Sequence, residues 1–396
     1  MAEDSQGRPK PRRRAATQLI HAASGPGELV RTVGPPVQRG STVLVDRAAQ
    51  LYDNASLTYG RQGLAAQAAL CAALDELEGA AGTCLYPSGM AAVAGALLAL
   101  LKAGDEVLVA DCVYAPTRRL CDHLLRRYGV EVRYFDPCAD AEAVIAQVTS
   151  ATRLIMLESP GSLTFEVLDV PGIARLASER GVLTAIDNTY GAGLLFKPLD
   201  HGVDVSIQAL TKYVGGHSDL FMGSASARDP AVLRRLQDGV LQMGWAASPD
   251  DAYQMLRGLR TLALRLEHHG SSAVAAAAWL RDQPEVSEVL CPALPGARGH
   301  DLFQRDFSGP CGLFGITLSP APQSAVLAFL DALEVFGLGF SWGGFESLAI
   351  HCDPQLSHRT IPCGLKGPLV RLHVGLEALD DVIADLRQGL DAFARA

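Results

Sequence analysis

Between about residues 61 and 258 the chain alternates two kinds of text, and this alternation limits its fold more than any other feature. Short runs that are apolar from end to end stand between segments with helical spacing. The runs cover residues 106–110 (EVLVA), 130–135, 153–157 (RLIML), 182–186 (VLTAI) and 203–210. A strand that is apolar at every position must be covered on both faces, which is the condition of a parallel sheet flanked by helices. The intervening spacing predicts helices over 67–78, from Ser88-Gly89 onward, over 116–128 and over 173–180. Around residue 258 the text changes to Ala/Leu-rich helices (252–268 and 272–281), then to strands of antiparallel character (312–319 and 369–374). A last helix, 378–393, carries an apolar stripe of Leu379, Val382, Ile383 and Leu386. The expected architecture is α/β: a central, mainly parallel sheet over 61–258 and a smaller α+β C-terminal domain over 259–396, preceded by an N-terminal segment, 1–60.

Of the 396 residues, 48% are hydrophobic and 19% charged, which suffices to bury a sizeable core and excludes a disordered chain. The formal charge of −9 argues against nucleic acid as the main partner. The longest apolar run, 91–101, is too short to span ~30 Å of hydrocarbon as a helix, so no membrane partner is expected. Residues 1–14 are polar and basic and lack the apolar stretch of a secretory signal. Nine cysteines, none spaced C-x-x-C, read as reduced and mostly buried thiols of a cytoplasmic protein, with no zinc pattern among them.

Three segments carry chemistry. In 206–223 (SIQALTKYVGGHSDLFMG) a lone lysine, Lys212, follows a strand. Open α/β sheets place their ligands at the C-terminal edge of parallel strands, and an amine there can form a Schiff base with an aldehyde. In 185–189 (AIDNT), Asp187 ends a buried strand 25 residues before Lys212. A buried carboxylate needs a partner. An acid paired with a protonated pyridine nitrogen, beside a lysine Schiff base, is the recurrent pyridoxal phosphate (PLP) arrangement. In 86–90 (YPSGM), a helix start with a glycine offers backbone N–H groups to a phosphate.

Together with TYGRQG (58–63), LESPGS (157–162), FSWGGFESL (340–348) and LVRLHVGLEALDDVIADL (369–386), these segments resemble the Cys/Met-metabolism family of PLP-dependent enzymes, and within it the cystathionine β-lyases most. The resemblance extends from about Thr17 to Phe393. It implies the type I, aspartate-aminotransferase-like fold, PLP as cofactor and a homotetramer built as a dimer of dimers. It also implies roles. Lys212 would bind PLP and later move the substrate α-proton, and Tyr114 would stack on the cofactor ring as the second catalytic residue. Asp187 would pair with the pyridinium nitrogen. Gly89 and Met90 would give backbone N–H groups to the phosphate, with Thr211 adding a hydroxyl. Tyr59 and Arg61 would reach that phosphate from a neighbouring subunit, which makes 1–60 an oligomer-contact arm as well as a tail. Arg371 would hold the substrate α-carboxylate in a bidentate fork, and Ser341, Trp342 and Tyr59 would face the substrate.

The implied reaction is β-elimination from cystathionine or a related cysteine thioether, releasing a thiol (homocysteine from cystathionine), pyruvate and ammonia, as in methionine synthesis. Departures from the family pattern bear on the distal part of the substrate. Phe340 stands where cystathionine β-lyases often have tyrosine, and the aromatic hydroxyl they place around 241–244 is absent. Ala209 replaces a serine that many relatives use near the phosphate. Same-family γ-elimination or γ-replacement, or lysis of a cysteine S-conjugate in a specialised pathway, shares the core residues. A different class is hinted at by Gly339-Phe340-Ser341-Trp342-Gly343, which fits G-x-S-x-G with Asp353 and His358 or His373 downstream. That elbow would need a parallel strand of the main sheet before it and a helix after it.

Overall fold

The structure is a computed structural model describing residues 14–21, 32–53 and 56–396, so most of the basic tail lies outside the described residues. Seven strands form the larger sheet: β1 (Gly82–Tyr86), β2 (Glu106–Ala110), β3 (Glu131–Phe135), β4 (Thr152–Glu158), β5 (Leu183–Asp187), β6 (Val205–Ala209) and β7 (Gly223–Ala227). Their spatial order is β1-β7-β6-β5-β4-β2-β3. Strands β2 to β6 are parallel where they pair. β7 runs antiparallel to both β6 and β1. The strands β1 to β6 therefore all point one way, and their C-terminal ends share one edge. The five apolar runs of the sequence are β2 to β6. β2, β4, β5 and β6 are largely buried because helices cover both faces, whereas β3, at the sheet edge, buries only Val132 and Phe135.

The sequence pattern misses β1 and β7. β7 reads GSASA and has no apolar run, yet every residue of it is buried. It is selected for thinness. A Cβ at Gly223 would lie 2.4 Å from the Ser88 carbonyl oxygen, at the start of the helix Gly89–Leu100 that packs over it. Two helix expectations are also corrected. The segment 116–128 is a short α-helix, Ala115–Arg119, that widens into a π-turn over Leu120–Leu125. The Ala/Leu-rich helices break at Thr261, giving Pro249–Arg260 and Leu262–Arg281. There the Thr261 hydroxyl donates back to the Gly258 carbonyl and competes with the helical ladder.

A second, five-stranded sheet completes the chain: β8 (Val286–Leu290), β9 (Leu313–Leu318), β10 (Gly337–Leu338), β11 (Leu348–His351) and β12 (Leu369–His373), in the order β10-β11-β12-β9-β8. The last helix, Leu379–Arg395, buries Val382 and Leu386 in the core of this sheet. None of the nine cysteines is in a disulfide. No helix among the described residues is long and apolar enough to cross a membrane.

One buried acid bears on stability. Glu78 is fully buried, and one carboxylate oxygen accepts from Ser206 and Gln208 while the other has no partner among the described residues. Burial pushes its pKa from 4.5 up to about 7, against the pull of the two donors and Lys197. An acid with a raised folded-state pKa loses stability for the fold as pH rises from its unfolded to its folded value, and the loss is complete above the latter. The gap from 4.5 to about 7 corresponds to roughly 3 kcal/mol at most. Glu78→Gln cannot ionise. Its stability relative to wild type is expected to grow between pH 4 and pH 8 by up to that amount, read from urea midpoints across the range. A pH-independent difference rejects the assignment.

Candidate active site

The shared edge of β1 to β6 opens on a cavity of about 540 Å³, of a size that suits a small-molecule site. It brings together Lys212, Asp187, Gly89, Met90, Thr211, Tyr114, Arg371 and Trp342 from across the sequence. The reason is topological. Parallel strands deliver their C-terminal loops to one side, so β1 leads to Gly89, β2 to Tyr114, β5 ends at Asp187 and β6 leads to Lys212. Arg371 comes from β12 of the second sheet.

Lys212 donates from Nζ to the Ser341 hydroxyl at 2.8 Å, and Nζ lies 5.6 Å from the centre of the Trp342 ring. Burial and the neighbouring Arg371 guanidinium lower the Lys212 pKa to about 8, against the pull of Asp187. At pH 7 this leaves about a tenth of the amine neutral. Asp187 is held through Oδ1 alone, which accepts from the Thr189 backbone N–H (3.0 Å) and hydroxyl (2.6 Å). Burial raises its pKa, opposed by these two donors and by Lys212. A cationic partner on the cavity side would reverse that shift.

At the phosphate end, Ser88 caps the helix Gly89–Leu100 by accepting from the Ala91 N–H, and its carbonyl takes the Ala92 N–H. The N–H groups of Gly89 and Met90 find no acceptor among the described residues, and both residues line the cavity. Position 89 tolerates only glycine, because a Cβ there would lie 2.5 Å from the Ala209 methyl. This open helix start, an acid free at one oxygen and an amine of low proton affinity are the donor set that PLP needs, so the residues fit the cofactor.

Thr211 lines the cavity, but its hydroxyl donates to the Met222 carbonyl (3.2 Å) and accepts from the Met222 N–H (3.0 Å). Its one proton is thus aimed at the backbone. Tyr59 and Arg61 do not line the cavity of their own chain, and the Arg61 guanidinium instead sits 5.5 Å from the Tyr59 ring centre. Arg371 is buried and donates to the carbonyls of Phe340 and Ser341, while its Nε has no partner among the described residues. Such a donor calls for an anion.

The loop bearing Ser341 and Trp342 is pinned from behind. Buried His373 accepts from the Gly343 N–H at Nε2 (3.0 Å), so Nδ1 carries the proton given to the Glu346 carbonyl (3.1 Å). Burial keeps this imidazole neutral. Gly343 has φ +82, and a Cβ there would lie 3.0 Å from the Lys212 backbone carbon, so loop and lysine segment are in contact. Ser341 bonds Lys212 rather than a histidine, and only the two-residue β10 of the second sheet precedes it. No helix comes directly after it. The hydrolase elbow is therefore not formed.

Sequence reasoning missed three cavity residues. Thr189, which fixes Asp187, stands inside the AIDNT motif without a signal of its own. Glu158, the register partner of Asp187 on β4, accepts the Tyr114 N–H at 2.7 Å. Burial and the adjacent Asp187 push its pKa well up. Arg119 lines the cavity next to the buried Arg118–Asp111 ion pair.

Comparison with known proteins agrees with this geometry. The family of Cys/Met metabolism PLP-dependent enzymes matches residues 16–391. A cystathionine β-lyase of Bordetella avium is 42% identical, over 96% of this chain and 98% of the relative. The cystathionine β-lyase MetC of Escherichia coli K12 is 41% identical, over 96% and 98%. The crystal structure of a cystathionine γ-synthase from Xanthomonas oryzae pv. oryzae superposes with a TM-score of 0.90 at 31% identity, covering 97% of this chain and all of that one. An amine, an acid and an open helix start on one sheet edge, in a chain matched almost end to end, have one source: the chain belongs to the Cys/Met metabolism PLP-dependent enzymes and has their type I fold.

Proposed function

We propose that the chain is a carbon–sulfur β-lyase that cleaves cystathionine or a related cysteine thioether to a thiol, pyruvate and ammonia. The observation that carries this reading is the Lys212 amine, with its pKa drawn down to about 8, in one cavity with Asp187 and with Arg371, whose Nε is unpartnered. Bound PLP supplies an electron sink for the charge that develops at the substrate Cα. The chain does the rest. Arg371 takes the α-carboxylate and orients the Cα–H bond. The neutral Lys212 amine, steered by Ser341, removes the α-proton, and the thiolate departs from Cβ. Asp187 would hold a positive charge opposite itself, while burial and Asp187 disfavour a second negative charge on Glu158. Tyr114, whose phenol burial keeps neutral, would stack on the cofactor ring as the second catalytic residue.

Tyr59 and Arg61 would act in a neighbouring subunit of a homotetramer. Leu44 and Tyr52, in the same segment, are 90% and 92% exposed in the single chain, which favours a partner over them. The β-lyase relatives favour β-elimination, and the γ-synthase structure keeps γ-chemistry as the second reading. Cystathionine separates the two. Pyruvate with homocysteine is expected. 2-Oxobutyrate with cysteine would replace the proposal by γ-elimination.

A further inference from the structure

Three stretches of chain that wall the cavity meet at one guanidinium. The first is the loop after β2, which runs from Asp111 to Tyr114. The second is the loop after β4, which lines the cavity with Leu163 and Phe165. The third joins β11 to β12 and lines it with Gln355 and His358. Arg359 follows His358, and its side chain is 9% exposed. Its Nη1 donates to the Thr164 hydroxyl (2.7 Å) and to Glu166 (2.8 Å), and its Nε lies 3.4 Å from Asp111 Oδ2. Thr164 passes its own proton to Glu166. The Thr360 hydroxyl (2.8 Å) and the Ile361 N–H (2.9 Å) donate to the same Asp111 carboxylate, which also pairs with Arg118.

Two observations give this knot a purpose beyond holding the fold. Leu163 and Phe165 stand at φ +68 and +57, where a side chain larger than glycine is strained. Such backbone persists only where its surroundings hold it, and Thr164, gripped by Arg359, lies between the two. The two loops also touch. The Ser162 N–H donates to the Cys112 carbonyl at 2.9 Å, and a Cβ at Gly161 would lie 2.6 Å from the Cys112 Cβ. Displacing one loop therefore displaces the other. Buried ion pairs gain little stability over apolar packing. What this one supplies is a fixed spacing between cavity walls. Arg359, Asp111, Thr164 and Glu166 do not line the cavity themselves.

We propose that Arg359 is a positioning residue, which locks the Tyr114 loop and the left-handed loop 161–166 to the β11–β12 connection and so sets the walls around cofactor and substrate. This rests on the reaction proposed above for the cavity and deepens it.

Arg359→Lys tests it. The lysine keeps the buried charge but offers a point contact where the guanidinium makes a fork, so it cannot hold both loops. Its far-UV dichroism and thermal midpoint are expected to stay near wild type. The kcat for pyruvate release from L-cystathionine by the PLP-loaded enzyme is expected to fall by about tenfold or more, the scale of misplaced reacting groups. The visible dichroism of bound PLP, per unit absorbance, is expected to shrink, because it reads the asymmetry of the walls and not the rate. Thr164→Val leaves every charge in place and should move the dichroism the same way, which keeps the test decisive if the lysine variant does not fold. Wild-type kcat or wild-type dichroism in Arg359→Lys overturns the proposal, as does wild-type dichroism in Thr164→Val. If the wild-type enzyme releases no pyruvate from cystathionine, the lyase reading falls, and the dichroism still judges Arg359.

Discussion

Lys212→Ala is expected to lower kcat for pyruvate release by about four orders of magnitude or more and to leave the fold intact. In the proposed mechanism the amine is both the anchor for the cofactor and the base that takes the α-proton, so its loss removes two roles at once. Its side chain makes one hydrogen bond, to Ser341, and its charge is disfavoured by burial and by Arg371. Removing it therefore relieves desolvation, and Asp187, which loses a cationic neighbour, keeps both Thr189 donors. Far-UV dichroism and the thermal midpoint should match wild type. Borohydride treatment should fix a cofactor mass on Lys212 in wild type and on no residue in the variant. Turnover within tenfold of wild type would sink the assignment.

Asp187→Asn is expected to cut kcat/KM by about a thousandfold, the scale of losing one preorganised electrostatic group at a reacting centre. The amide keeps the shape and can still accept from Thr189 at Oδ1, so the loss isolates charge from geometry. Without the carboxylate the cavity floor keeps only Glu158, whose charge burial disfavours. Cofactor affinity, measured by absorbance titration, should fall with activity. A variant within tenfold of wild type on both readouts would assign the pairing elsewhere.

Much of this was legible because the chemistry sits at ends of strands that announce themselves. Lys212 and Asp187 come after apolar runs, and Gly89 comes after a turn into a helix. Other parts were illegible for physical reasons. β7 is buried through small side chains, and a hydrophobic count cannot see a strand chosen for lack of bulk. Glu158 acquires its meaning from register with a strand 29 residues away, Glu158 opposite Asp187, and from a backbone donor at Tyr114. The Thr211 hydroxyl bonds Met222, eleven positions on, a pairing that the motif does not encode. Arg118 and Arg119 look alike in sequence. One turns inward to Asp111 and its neighbour faces the cavity, because successive residues of the helix Ala115–Arg119 point about 100° apart.

The contact of Gly343 with the Lys212 backbone has a kinetic meaning. The wall that admits a substrate and the segment that bears the base touch without a spacer, and His373 ties that wall to the strand holding Arg371. In the proposed mechanism, entry, carboxylate capture and proton abstraction would thereby be geared to one another. A substitution that loosens the doorway would mistime the chemistry behind it.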